Sequence, residues 1–147
     1  MPDGEKEDPM KWNSTFSIGI EAIDRQHQQI FEHLLAIEDS IAKRDSWHIL
    51  HCFLTRLADF VKFHLAVEEA LLEIIGYPDL AHHRDMHARL LEQIGELEDQ
   101  LRKQGPAERL VMGFFESWFV RHVLSTDREY AAYVRKEFPA LVARRSA

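Results

Sequence analysis

FVKFHLAVEEALLEII, residues 60–75, sets His64 and Glu68 four positions apart inside an otherwise apolar run. Four positions make about one helical turn, so the two side chains point the same way. Extended in both directions at spacings of three and four, the stripe reads Leu50, Phe53, Leu57, Phe60, His64, Glu68, Leu71 and Ile75. Two polar groups therefore interrupt a face that should be core. Burying such groups without partners costs roughly 2–7 kcal/mol for a neutral one and more for a charge. On this stretch alone a histidine and a glutamate satisfying each other would suffice. The rest of the chain asks for more.

Upstream, Trp12, Phe16, Ile18 and Ile20 form an apolar alternation too short for an independent strand, read as an extended arm against the core after a polar tail over residues 1–11. From about residue 21 to 43 the spacing turns helical, with Ile23, His27, Ile30, Phe31, Leu34 and Ile41 on one face. Asp45 and Ser46 supply a cap for the second helix, which Gly76 stops. A third helix over about 79–103 carries Leu80, His83, His87, Leu90, Ile94, Leu97 and Leu101 on its inner stripe. Gly105-Pro106 then breaks the chain and starts a fourth helix with Val111, Phe114 or Phe115, Trp118 and His122 inward. Beyond His122 the periodicity is compatible with a continuous helix or with a break near Ser125-Thr126. The expected fold is all-α: an up-down-up-down four-helix bundle over about residues 16–138, with an extended N-terminal arm and a short C-terminal helix, within a single domain of residues 1–147.

A net charge of −7 without a Lys/Arg cluster in the body argues against nucleic acid and anionic membranes as partners. A single cysteine, Cys52, excludes an internal disulfide and a Cys pair for zinc. With no signal-peptide layout and no apolar run of membrane-spanning length, the expected compartment is the cytoplasm. No feature names a protein partner.

Nine histidines remain to be explained. Helical geometry places His33, His48, His51 and His82 off the core stripes, while His27, His64, His83, His87 and His122 lie on them, at least one per helix. Five imidazoles and the carboxylates Glu68 and Asp127 exceed what one metal can take. Two six-coordinate ions fit: five imidazoles, two bridging carboxylates and one oxo or hydroxo bridge leave one coordination position open, the condition for taking up a small external ligand. The chain has no E-x-x-H spacing of the carboxylate-rich di-iron bundles.

In order, H27, H64-x-x-x-E68, H83-x-x-x-H87 and H122-x-x-x-x-D127 resemble the motif set of the hemerythrin family, its bacterial members in particular. W12, S17-I-G-I20 ahead of D24-x-Q-H27, E68-E69, G76-Y-P78 and W118 add to the likeness, which runs from about Trp12 to Tyr133. The resemblance implies a cofactor of two iron ions per chain with an oxo or hydroxo bridge. His83, His87 and His122 would hold one iron, His27 and His64 the other, and Glu68 and Asp127 would bridge. It further implies reversible dioxygen binding, for storage, delivery or sensing, in an apolar pocket of Ile23, Phe31, Leu65 and Trp118, and a binding protein rather than an enzyme. Leu65 and Leu72 depart from the phenylalanine and methionine common in the family but keep the wall apolar, which bears on oxidation rate rather than on binding. The competing readings are a di-iron enzyme acting on ferrous iron, peroxide or nitric oxide, with Tyr130 and Tyr133 near Asp127, and a bundle whose ions are purely structural, against which the open position speaks.

One spacing is anomalous. His122 and Asp127 are five positions apart, about 500° of α-helix, which would splay them by roughly 140°. If both reach one centre, the backbone over 123–126 should widen, most simply as a π-turn.

Overall fold

A computed structural model describes residues 10–142 of the chain. Four long helical rods carry the fold: α1 (Glu21–Ala42), α2 (Trp47–Ile74), α3 (Leu80–Arg102), and a fourth made of α4 (Ala107–Phe115), a π-helical segment (Glu116–Asp127) and α5 (Arg128–Glu137). A four-residue helix, α6 (Pro139–Val142), follows, and no strand occurs among the described residues. α1 packs on α2, α2 on α3, α3 on α4, and α4 back on α1. That closed ring of neighbours is the layout expected of an up-down-up-down bundle, with short loops joining antiparallel rods.

The fourth rod does not break at Ser125-Thr126. Glu116 (φ −61, ψ −44) and Arg128 (φ −65, ψ −31), at the two ends of the π-helical segment, keep right-handed helical dihedrals, and the rod ends only at Phe138 (φ −135) ahead of Pro139. The stretch expected as a possible short helix up to Pro139 is α5, continuous with this rod, and the four-residue α6 beyond it is an element the sequence reading did not contain. The widened turns run from Glu116 to Asp127 instead of being confined to residues 123–126.

α1, α2 and α3 end in one device. The residue after each C-cap turns left-handed: Arg44 (φ 55), Gly76 (φ 69) and Gln104 (φ 60). Two N–H groups then reach back to orphan carbonyls, as in Gly76 to Glu73 (3.1 Å) and Tyr77 to Leu72 (2.9 Å). Ser46 holds the N-cap position of α2, but its side chain makes no cap bond.

The core stripes differ from the sequence reading by a small rotation. On α2 the buried set is Leu54, Leu57, Val61, His64, Leu65, Glu68 and Leu72, whereas Leu50, Phe53, Phe60 and Leu71 are half-buried. On α1, Ile37 is fully buried and Ile41 is half-buried. The apolar residues of α2 cover more than one face, so spacing alone could not say which face meets α1 and α3.

The expected tail over residues 1–11 lies outside the described residues up to position 9, and Met10 is already core at 1% exposure. The arm itself is fixed at several points. Trp12 meets the Phe31 ring edge-on at 5.3 Å and Phe16 meets Phe119 at 4.8 Å. Asp24 accepts from the Ile18 N–H (2.9 Å) and from the Ser17 hydroxyl. From the far end of the chain, Arg128 donates to the Thr15 carbonyl (2.8 Å) and Arg135 to the Ile18 carbonyl (3.0 Å).

Candidate metal centre

α1 supplies His27, α2 His64 and Glu68, α3 His83 and His87, and the π-helical segment His122 and Asp127. None of the seven is more than 4% exposed. They converge between the rods. His64 Nε2 lies 2.7 Å from Glu68 Oε2, His83 Nε2 lies 3.2 Å and His122 Nε2 3.1 Å from Asp127 Oδ1, and His27 Nε2 lies 3.5 Å from Asp127 Oδ2. His87 Nε2 stands 3.9 Å from Glu68 Oε2, and His83 Nε2 stands 3.8 Å from Glu68 Oε1.

The π-helical segment makes this possible. A wider turn brings positions five apart back toward one side, so His122 and Asp127 both face the bundle axis. On α2 and α3, spacing of four achieves the same in regular α-helix.

Almost every inward atom lacks a hydrogen bond. Both carboxylate oxygens of Glu68 and of Asp127, and Nε2 of all five histidines, are sealed from solvent without a hydrogen-bond partner. Buried polar atoms are normally paired, so such a cluster calls for a cation. Ligand atoms of Glu68, His83, His87, His122 and Asp127 lie within 4.8 Å of one another, as do those of His27, His64 and Glu68. Bonds of about 2.1 Å put neighbouring donors of one ion roughly 3 Å apart, which these separations approach. The buried cluster is suited to hold metal.

Without metal the electrostatics are divided. Burial would raise the Glu68 carboxyl, but the charges of His64, His83 and His27 hold it well below the usual carboxylate range. Asp127 is also held low: burial and Glu68 oppose this, while His122 and His27 prevail. Burial lowers His83, yet Asp127 and Glu68 carry it up to about 9, and His122 is raised mainly by Asp127. His87 is pushed down to about 4 by burial, with too little carboxylate charge to offset it. The two carboxylates thus stay ionised and bind protons on the imidazoles that a metal would have to displace.

Around the seven lies a second layer that spacing showed less clearly. His64 Nδ1 lies 2.7 Å from Gln26 Oε1, so its ring N–H donates there and the ring is held with Nε2 inward. Glu69 Oε1 stands 3.8 Å from His87 Nδ1. Both residues sit beside a ligand within the Q26-H27 and E68-E69 pairs, and adjacency is the signal that would have found them. Tyr130 is fully buried, its ring 5.4 Å from that of His83 and its hydroxyl without a partner. Burial, with Glu68 and Asp127 adding, keeps that phenol well above its ordinary range.

Ile23, Phe31, Leu65 and Trp118 are all buried, at 2% exposure or less. Trp118 packs edge-on to both His27 and Phe31 at 5.8 Å, and its Nε1 is a sealed donor with no acceptor. Of the outward set, His48, His51 and His82 are exposed. His33 is half-buried against Phe60 at 5.3 Å, and burial lowers its pKa.

The family model described as the hemerythrin HHE cation binding domain matches residues 18–134. A bacteriohemerythrin of Stenotrophomonas maltophilia is 26% identical, covering 84% of this chain and 80% of that protein. One of Clostridium acetobutylicum is 28% identical over 81% of this chain and 96% of its own length. A hemerythrin-like protein of Naegleria gruberi is 28% identical over 83% and 91%. With a family match spanning most of its length and the matching residues gathered in one buried cluster, this chain belongs to the hemerythrin family.

Proposed function

We propose that the chain binds dioxygen reversibly at two iron ions, His83, His87 and His122 serving one, His27 and His64 the other, with Glu68 and Asp127 shared between them and an oxo or hydroxo group completing the bridge. The observation that carries this reading is the sharing itself: Asp127 stands between His27 on one side and His83 and His122 on the other, and Glu68 between His64 and His83. When bound, the iron pair supplies the two electrons that dioxygen takes up and returns. The protein's part is to hold and to exclude. Five neutral imidazoles, two shared carboxylates and the oxo or hydroxo bridge would fill eleven of twelve positions, so one is open for a small molecule. Ile23, Phe31, Leu65 and Trp118 wall that side with apolar surface, which keeps water and protons from making the uptake irreversible. Gln26 fixes the ring and tautomer of His64.

A second reading, oxidation of ferrous iron or reduction of peroxide or nitric oxide by the same centre, is favoured by one feature. The buried Tyr130, its hydroxyl without a hydrogen bond, packs its ring 5.4 Å from that of His83. Steady consumption of peroxide or nitric oxide with an added reductant, abolished in Tyr130→Phe, would establish it.

The deciding experiment loads the chain with ferrous iron under argon and then admits air. About two irons per chain, and a visible absorption band that forms in air and fades on degassing, are expected. One zinc per chain, or no optical response to dioxygen, would overturn the proposal.

A further inference from the structure

Behind His122, on the side away from the other ligands, a cleft of about 270 Å³ opens between α3 and the π-helical segment. Met86 and Leu90 line it with apolar surface. Its polar lining is Arg89, Gln93, Ser117, Arg121 and His122, with no carboxylate among the residues that face it. Every one of those groups offers N–H or O–H donors. In a chain of net charge −7, Arg89 and Arg121 find no ion-pair partner among the described residues, and neither does Arg44, Arg56, Arg109, Arg128 or Arg135; what sets these two apart is that they line one cleft. Two like charges brought to one cleft repel unless something negative joins them.

His122 supplies the independent observation. His83 and His87 have both ring nitrogens sealed, whereas only Nε2 of His122 is sealed, 3.1 Å from Asp127 Oδ1. The side chain is 95% buried, and Nδ1 is not among its sealed atoms, while His122 lines the cleft. A metal-binding imidazole nearly always donates its second N–H to an acceptor. For His122 no protein acceptor is present among the described residues, and the cleft holds two guanidinium groups suited to bind one.

We propose that this cleft binds a small doubly charged oxyanion, with Arg89 and Arg121 neutralising it and His122 Nδ1–H donating to it. Its volume falls below the roughly 300 Å³ where pockets for larger organic ligands begin, so an ion of the size of phosphate is the fitting class. The anion regulates the centre: negative charge behind His122 makes its Nε2 a stronger donor, an effect that rests on reading His122 as a ligand.

Inorganic phosphate is the probe, titrated into the metal-free protein at constant ionic strength with chloride as control and followed by phosphorus NMR line width. Saturable binding of one phosphate per chain is expected, weakened at least tenfold in Arg89→Gln/Arg121→Gln, with unchanged far-UV circular dichroism showing that the variant folds. Binding that does not saturate, or that the double variant retains, overturns the site. In iron-loaded protein, phosphate should shift the visible absorption of the parent chain and not of the variant. A shift equal in both marks direct attack on the metal and overturns the link through His122. If the chain takes up no iron, the reading of the centre fails while the metal-free titration still decides the cleft.

Discussion

Gln26 touches no inward ligand atom, yet its 2.7 Å contact sets which nitrogen of His64 faces the centre. Gln26→Ala should lower iron affinity about tenfold to a hundredfold, the usual effect of losing such an orienting partner, while leaving helix content intact. Competition with a colorimetric chelator reads it, and unchanged affinity would show that His64 is oriented by packing alone. The titrating residues make a second prediction, on the metal-free chain. His83, raised to about 9, contributes stability that is complete below its ordinary 6.5 and is lost as pH rises toward 9. Glu68 and Asp127, both lowered, contribute stability that is present above 4.5 and 3.8 and is lost as pH falls through their depressed folded values. His87, lowered to about 4, adds stability that is complete above 6.5 and is lost as pH falls toward 4, so the melting temperature of metal-free protein should peak near pH 6.5. Iron should abolish the decline on the alkaline side, because metal binding releases those imidazole protons and strengthens as pH rises. A flat profile from pH 5 to 9 would contradict the assigned proton on His83.

The π-helical segment is the element on which the centre depends most. Deleting one residue from positions 123–126 should let the rod relax to regular α-helix. Far-UV circular dichroism would then stay nearly constant while iron uptake falls, since a rod one residue shorter between His122 and Asp127 misplaces either Asp127 or all of α5 beyond it. Retained uptake would mean that the widened turns are not needed to aim the two ligands. The arm makes a separate prediction. Gly19 sits at φ +89, and a Cβ there would come within 3.3 Å of the Arg135 guanidinium that grips Ile18. Gly19→Ala should destabilise the chain by about 1–2 kcal/mol, the cost of a left-handed non-glycine residue, partly relieved if the guanidinium shifts. Urea unfolding measures it. The Q26-H27 pair, the HxxxE and HxxxH spacings and the stop at Gly76 were legible in the letters because each is a local pattern of one helix. The length of the π-helical segment was not, because five-position spacing demands only one widened turn and the packing of Trp118 and Phe119 against α1 and the arm accommodates more.

Across the molecule, seven buried polar groups from four rods meet in one cluster, and a metal held there would tie folding to its binding. Glu68→Ala removes a carboxylate shared by both halves of the cluster and leaves His64 and His83 without it. The expected result is loss of iron and a stability decrease of roughly 3–5 kcal/mol, the usual outcome of breaking a buried ionic set, against no change in either for the exposed His82→Ala. Two variants of equal stability and iron content would refute the division of the histidines. Chelation should likewise lower the melting temperature of the parent chain, since a ligand bound only by the folded state stabilises it by mass action. From sequence alone follow an all-helical bundle and six of the seven inward groups, because helical period is a local code and polar residues on an apolar stripe stand out; Asp127, which regular period would splay from His122, is placed inward only by the family resemblance. Tertiary structure alone decided which stripe of α2 is core, that Arg128 and Arg135 hold the arm across 113 and 117 positions, that Gln26 reaches His64 across 38, and that Arg89, Arg121 and His122 line one cleft. Those contacts join residues on different rods, and their geometry is fixed only when the rods pack at one rotation and one height, which no single helix encodes.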